Sequence, residues 1–298
     1  MMTPAAIALD WGTTRLRAFL LDAEGAVIEK REASDGIMSV PAGGFPAVLA
    51  KHCGDWLAAN KDLPVTMAGM IGSRNGWAEA PYADCPAAVK DLAASLISVT
   101  REDGGSAAII PGVAGVFDGA ADVMRGEETL IAGIDLEDGL VCLPGTHSKW
   151  AMIRGGRIER FSTFMTGEFY AALTQHTILG RLAADPDDAA GFAAGLEASR
   201  NDASLLHTAF ASRANVLFER MAPQAVRPYL SGLLIGTEVA GALALYGDLD
   251  AVHLIASEPQ LGLYRQALAA RDIIVTVDDP ERALVAGLAR IAAARNAA

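Results

Sequence analysis

The sequence reads as an α/β protein built of two similar halves with mixed sheets, and three observations lead there. Short apolar runs alternate with segments of helical spacing along all 298 residues. A unit of strand, Gly-Thr corner, strand and hairpin occurs twice, at a fixed offset of 133 that sets Gly12 on Gly145, Thr13 on Thr146 and Ala18 on Ala151. The composition is 52% hydrophobic and 20% charged, with 30 glycines and 13 prolines, which suits a globular chain and fits neither disorder nor a fibrous repeat. The length allows two domains of ordinary size. The seam is expected between 135 and 139, giving domains 1–135 and 136–298.

Residues 5–9 form an apolar run that Asp10-Trp11-Gly12-Thr13-Thr14 breaks; 16–21 run again, 22–25 carry turn chemistry and 26–33 extend. Helical spacing covers 46–59, a strand 65–70, a helix 86–97, and a buried strand 107–110 that stops at Pro111-Gly112. A further helix is expected over 123–134, with Asp122 as its N-cap. The second half opens as the first did, with a run at 140–143 and a break at Pro144-Gly145-Thr146-His147. Strands at 150–153 and 157–161 then flank the Gly155-Gly156 turn. Helices are expected over 168–182, 204–221 and 231–245, the last entered through Ser231-Gly232. Strands at 252–256 and 273–277 flank a helix at 260–270, and 280–293 closes the series as a helix with Pro280 in its first turn.

Several function classes fall away at this stage. With 24 basic against 36 acidic side chains the net charge is −12, so the chain repels a polyanion and nucleic acid is no partner. A small anion held by backbone amides and a few cations remains compatible with that charge. Cys53, Cys85 and Cys142 are too scattered for a disulfide framework or a zinc site and read as small apolar residues. No signal peptide is visible at the N-terminus, and the most apolar stretch, 230–246, is interrupted by Glu238. A cytoplasmic protein without a membrane partner is expected. The histidines at 52, 176, 207 and 253 have no metal-ligand spacing.

The two corners carry the chemistry. In Asp10-Trp11-Gly12-Thr13-Thr14-Arg15 a glycine lets the backbone approach a ligand, while consecutive amides and two hydroxyls offer a concave donor set for phosphate oxygens. Asp10 at the strand end suits hydrated Mg²⁺ bound through a water. Pro144-Gly145-Thr146-His147-Ser148-Lys149 repeats the cup with a cation added. Each corner alone could be an ordinary hairpin turn; as a pair they suit the phosphates of one nucleotide.

ALDWGTTRLRAFL, MAGMIGSRNGW with APY, DVMRGEET, LPGTHSKW, FMTGE and SGLLIGTEVAG occur in this order. Together they resemble the 2-dehydro-3-deoxygalactonokinase family, sugar-acid kinases of the actin/hexokinase/Hsp70-like ATPase superfamily. The resemblance covers essentially the whole chain, and DVMRGEET with PGTHSKW is its specific part. It implies a two-domain, actin-like (ribonuclease H-like) fold of duplicated βββαβα units, with ATP and Mg²⁺ in an interlobe cleft. It also implies phosphorylation of the 6-hydroxyl of 2-dehydro-3-deoxy-D-galactonate. Asp10, Gly12, Thr13 and Thr14 match the first phosphate loop, with Arg15 beside them, and Gly145 and Thr146 match the second. Ser231, Gly232, Gly236 and Ser257 occupy the places where relatives hold the adenosine. Two departures stand out: Leu143-Pro144 replaces the Asp that usually opens the second loop, and Ala256-Ser257 replaces a Gly-Gly.

Phosphoryl transfer to an alcohol needs positioning, charge neutralisation and one carboxylate to accept the hydroxyl proton. Asp122 fits by position, with Asp118 as a rival and Glu127 or Glu128 as a third choice. Arg125 either pairs with Glu128 or meets substrate or phosphate. A carboxylate substrate rich in hydroxyls calls for a cation among hydrogen-bonding side chains, and Ser73, Arg74, Asn75, Trp77 and Tyr82 supply that mixture, Arg74 reading the acid. His147 and Lys149 could face the γ-phosphate or the sugar acid, and Glu168 either binds a sugar hydroxyl or starts its helix. Two other functions suit the same sequence: a kinase of another sugar acid or polyol, and a non-catalytic nucleotide switch. The apolar helices around Leu230 and Leu284 bury against either a second copy in a homodimer or their own core.

Overall fold

A computed structural model describes residues 3–201, 204–247 and 250–297, with side chains through 295. The chain forms two compact units. The first comprises Met1–Asp138, Ile153–Phe161 and Asp278–Ala298, the second Gly139–Met152 and Ser162–Val277. The chain thus leaves the first unit after Asp138, close to the expected seam, but 153–161 and the last helix belong to the first unit, not to the second.

The first unit contains β1 (Ala6–Trp11), β2 (Leu16–Leu21), β3 (Val27–Ala33), α1 (Phe45–Ala59), β4 (Val65–Ala68), β5 (Tyr82–Asp84) and α2 (Val89–Ala94). It continues with β6 (Ile97–Thr100), β7 (Ser106–Ile109), β8 (Gly112–Phe117), β9 (Ala120–Met124) and α3 (Glu127–Gly133). The main sheet has the order β3-β2-β1-β4-β7-β6. β1 runs antiparallel to β2 and parallel to β4, and β4 parallel to β7. β1 is apolar on both faces because it lies inside the sheet, whereas the edge strand β3 alternates and exposes its charges. Trp11, Leu16, Phe45, Leu49, Met67 and Ile71 form the core between this sheet and α1.

The chain continues with β10 (Gly139–Leu143), β11 (Ser148–Arg154), β12 (Arg157–Phe164), α4 (Thr166–His176), α5 (Ala190–Ala198), α6 (Leu205–Leu217) and α7 (Val226–Tyr246), all in the second unit except 153–161 where β11 turns into β12. β13 (Ala251–Ile255), α8 (Gln260–Ala269) and β14 (Ile274–Asp278) follow, and α9 (Pro280–Ala297) then packs on α2, α3, β1 and β4 of the first unit. The sheet order β12-β11-β10-β13-β14 repeats β3-β2-β1-β4-β7, with β10 parallel to β13 as β1 is to β4. The duplication expected from the Gly-Thr repeat is therefore present in the topology.

Some expected elements come out differently. The helix expected over 86–97 is only α2, and the alternating Ile97-Ser98-Val99-Thr100 forms β6 instead. The helix expected from 123 starts at Glu127, because 120–124 pair with β8 across an Asp118-Gly119 turn. Asp122 is a strand residue opposite Gly115, not an N-cap. α4 stops at His176, short of the expected 182. α5 was not expected. α7 begins five residues before Ser231, since Pro228 lies in a first turn, where no intrahelical donor is required. The expected stretch at 204–221 is helical over α6 alone.

α7 is long and apolar enough to cross a membrane by length and composition, yet it is a core helix: Leu230, Leu233 and Val239 are buried under its neighbours. Leu284 is likewise buried within its own unit. Cys53 and Cys142 are buried, Cys85 is half-buried, and burial pushes the Cys53 and Cys85 thiols up to about 12.

Candidate functional site

Parallel strands send their C-terminal ends to one edge of a sheet, where loops can converge. In the first unit that edge carries the first Gly-Thr corner. Gly12 N–H donates to Arg15 O at 2.9 Å and closes the turn. The segment after β3 braces it: Trp11 Nε1–H donates to Asp35 O, Ile37 N–H to Gly12 O and Met38 N–H to Thr13 O. Gly36 lies so close that an added Cβ would stand 2.3 Å from Thr14 C. Thr13, Thr14 and Arg15 remain exposed and, with Asp10 and Arg17, line a recess of about 530 Å³.

Asp10 accepts from Arg17 Nε and Nη2 through Oδ2, at 3.1 and 2.7 Å. Its Oδ1 lies beside Gly69, where an added Cβ would stand 3.1 Å away. Gly69, at φ +90° after β4, also abuts the start of α3, since a Cβ on Gly126 would lie 3.6 Å from Gly69 Cα. One chain of contacts therefore runs from Asp10 through Gly69 to Gly126 and Glu127. Glu127, the first residue of α3, accepts the Arg125 N–H at 3.1 Å.

This placement separates the carboxylate candidates. Asp118 (φ 51°) and Gly119 (φ 81°) are the two left-handed residues of a hairpin turn between β8 and β9, a structural task that Asp-Gly serves well. Asp122 follows four residues later on β9, its Oδ1 accepting Val123 N–H. Glu127 is at the corner that meets Asp10's neighbour. Glu128 is fully buried, accepts Gly126 N–H and the Thr129 hydroxyl, and has its carboxyl raised to about 7 by burial and then by Glu127's charge.

Arg125 makes no ion pair with Glu128 among the described contacts. Its guanidinium lies over the Tyr82 ring at 4.4 Å, and Nη2 donates to Ala80 O at 2.9 Å. Nε and Nη1 are buried without a hydrogen-bond partner, Nη1 against Gly72. The fold thus brings Arg125 and Tyr82 to the loop that begins at Ser73. Within that loop Arg74 is 86% exposed at the side chain and pairs with Glu79, and Asn75 is exposed. Ser73 Oγ–H caps Met70 O, and Trp77 stacks on Phe45 as part of the core.

The second corner joins β10 to β11. Gly145 N–H is 3.4 Å from Ser148 Oγ, and Glu168 N–H donates to Thr146 O at 3.1 Å. His147 Nε2 and Glu168 Oε2 are 2.5 Å apart, both half-exposed. Lys149 does not project into solvent: it is 6% exposed and its Nζ donates to Thr163 Oγ1. Ser257 is exposed at the C-terminal end of β13, the same edge as Gly145. Gly232 and Gly236 serve packing instead, for a Cβ on them would stand 2.1 Å from Phe192 O and from Ser199 Oγ of α5 and its C-cap. Ser231, half-buried beside them, is an inner residue of the same helix.

Among the described residues no cluster of three or more His, Cys, Asp or Glu forms a metal cage. Mg²⁺ keeps waters and takes one or two carboxylates plus substrate phosphates, and the carboxylate at the first corner is Asp10, whose Oδ2 is engaged by Arg17. Sequence reasoning passed over Arg17, although the β1–β2 register puts it opposite Asp10. It also noticed Glu238 only as an interruption of an apolar run.

The signature of the family described as 2-keto-3-deoxy-galactonokinase matches residues 10–291. A protein of Rhizobium meliloti described as a 2-dehydro-3-deoxygalactonokinase is 39% identical over 96% of both chains. The 2-dehydro-3-deoxygalactonokinase of Escherichia coli is 36% identical over 98% of both. A crystal structure from Sinorhizobium meliloti, described as the same kinase, superposes with a TM-score of 0.90 at 37% identity, covering 98% of each chain. The activator of the 2-hydroxyisocaproyl-CoA dehydratase from Clostridium difficile shares the fold alone, with 17% identity, a TM-score of 0.52 and coverage of 98% and 96%. With its signature matched nearly end to end, the chain belongs to the 2-keto-3-deoxy-galactonokinase family.

Proposed function

We propose that this protein is a cytoplasmic, ATP-dependent kinase that converts 2-dehydro-3-deoxy-D-galactonate to its 6-phosphate. The observation that carries the reading is the full-length family match, joined to a Gly-Thr corner at the C-terminal end of the first strand in each unit. Amides and threonine hydroxyls at Gly12-Thr13-Thr14 and at Gly145-Thr146 bind phosphate oxygens, with Arg15 adding charge and His147 a ring N–H. Asp10 would hold Mg²⁺ through a water, and the ion would supply charge neutralisation at the phosphates. Ser257 lies on the adenosine side.

Glu127 is the general base in this reading, ahead of Asp122 and Asp118. Its carboxylate takes the proton of the C6 hydroxyl as the O6–Pγ bond forms and the bond from Pγ to the ADP oxygen breaks. Arg125 and Tyr82, with Ser73 and Asn75, hold the sugar acid, and Arg125 supports that role by its two unpartnered nitrogens, Nε and Nη1. Arg74, paired with Glu79 in solvent, is the weaker reader of the acid.

A coupled ADP-release assay with a panel of ketodeoxy acids, aldonic acids and neutral sugars tests this. Strong stimulation by 2-dehydro-3-deoxy-D-galactonate and none by neutral sugars is expected. A slow ATPase indifferent to every sugar would refute it.

A further inference from the structure

Behind the second Gly-Thr corner lies a buried carboxylate that the transfer reaction does not use. Glu238, midway along α7, is 2% exposed. Trp150 Nε1–H donates to its Oε1 at 2.8 Å and Tyr264 Oη–H to its Oε2 at 2.7 Å. The hydroxyls of Ser148 and Thr166 complete a set of four donors from β11, α4 and α8. An indole N–H can only donate, and a carboxylate is the side chain that can only accept.

Two of those donors belong to the corner's own supports. Ser148, fully buried, starts β11, and its Oγ is within reach of Gly145 N (3.4 Å) and Tyr264 Oη (3.0 Å). With Tyr264 donating to Glu238, the Ser148 hydroxyl donates inward and keeps a lone pair for the Gly145 amide. Thr166 opens α4, whose next two residues hold the corner from the other side. Gly167 approaches so closely that a Cβ there would stand 2.6 Å from Gly145 O, and Glu168 N–H donates to Thr146 O.

We propose that Glu238 is a positioning residue for the second corner. By fixing Ser148 and Thr166 together, its carboxylate sets the Gly145-Thr146 backbone in the shape that receives nucleotide phosphates. The inference rests on the reading of that corner as phosphate-binding. A buried charge costs desolvation that an apolar side chain in α7 would avoid, and orienting four donors is the return this site offers for it. Burial pushes the Glu238 pKa up while the four donors pull it down.

The test uses Glu238→Gln, equal in volume, which keeps an oxygen for Trp150 but turns the other acceptor into a donor. Calorimetric affinities for ATP, ADP and adenosine are measured beside a thermal melt. Glu238→Gln is expected to weaken ATP and ADP binding about tenfold, the effect of one lost charge-assisted hydrogen bond, with adenosine unchanged. Tyr264→Phe, which keeps the carboxylate but removes one of its donors together with the hydroxyl beside Ser148 Oγ, should show the same phosphate-selective loss and decides the matter if the glutamine variant does not fold. Wild-type affinity in both variants, or a uniform loss for all three ligands, overturns the positioning role. If the wild type itself gains no affinity from the phosphates, the phosphate-corner reading falls first and takes this one with it.

Discussion

Gly36→Ala isolates the bracing of the first corner. Gly36 has φ −65° and ψ 166°, a conformation alanine adopts freely, so any penalty is steric. Its Cβ would meet three backbone atoms of Thr13 and Thr14 at 2.3 to 2.4 Å, which is about 1 Å short of ordinary contact. Backbone cannot rotate aside as a side chain can, so the corner or the 35–38 segment must shift by that amount. Overpacking of this kind costs about 1–3 kcal/mol, and loss of the Ile37–Gly12 and Met38–Thr13 hydrogen bonds adds about 1 kcal/mol each. At about 2–4 °C per kcal/mol the melting temperature should fall by roughly 10 °C. A 1 Å misplacement at a reacting phosphate should also lower kcat/KM for ATP by about 100-fold. Gly43→Ala is the control: φ is +78° but nothing lies within 4 Å of the new methyl, so only strain of about 1 kcal/mol and unchanged kinetics are expected. A Gly36→Ala protein with wild-type melting and wild-type KM for ATP would refute the bracing argument.

Glu127→Gln should lower kcat by about 10²–10⁴-fold with KM for ATP little changed, while Asp118→Asn stays near wild type. If Asp122→Asn shows the large loss and Glu127→Gln does not, the base lies on β9. Arg125→Lys forfeits the planar stack on Tyr82 and should raise KM for the sugar acid about tenfold; an unchanged KM would remove Arg125 from the substrate site. Glu128, raised from 4.5 to about 7, binds more protons folded than unfolded between those values, so its contribution to stability falls as pH rises through that window. The loss, at most about 3 kcal/mol, is complete above the folded pKa. Melts of wild type and Glu128→Gln from pH 4.5 to 8 should diverge on that limb, and parallel curves would contradict it.

How much the sequence disclosed depended on how local the cause was. The Gly-Thr corners, both apolar strand sets and the helices expected at 46–59, 260–270 and 280–293 follow from periodicity and turn residues, and they stand where expected. Asp118-Gly119 carried a hairpin signal in plain view, but the apolar spacing after it drew the helix too far upstream and made a strand residue, Asp122, look like a cap. Gly232 and Gly236 resembled ligand-facing glycines because sequence cannot distinguish a close approach of phosphate from a close approach of another helix. Lys149 and Trp77 were chosen for their chemistry, and tertiary burial decided their roles. Nothing local announces that Glu238 faces Trp150, since 88 residues separate them.

The membership of α9 in the first unit bears on how the protein is made. Leu284, Leu288 and Ile291 supply buried side chains to a unit whose other parts leave the ribosome far earlier. The second unit ends at Val277 and can therefore complete its core without α9, while the first, begun sooner, cannot. A released chain truncated after Val277 should thus protect 162–277 against protease and leave α3 open to cleavage, the later-made part standing without the earlier one.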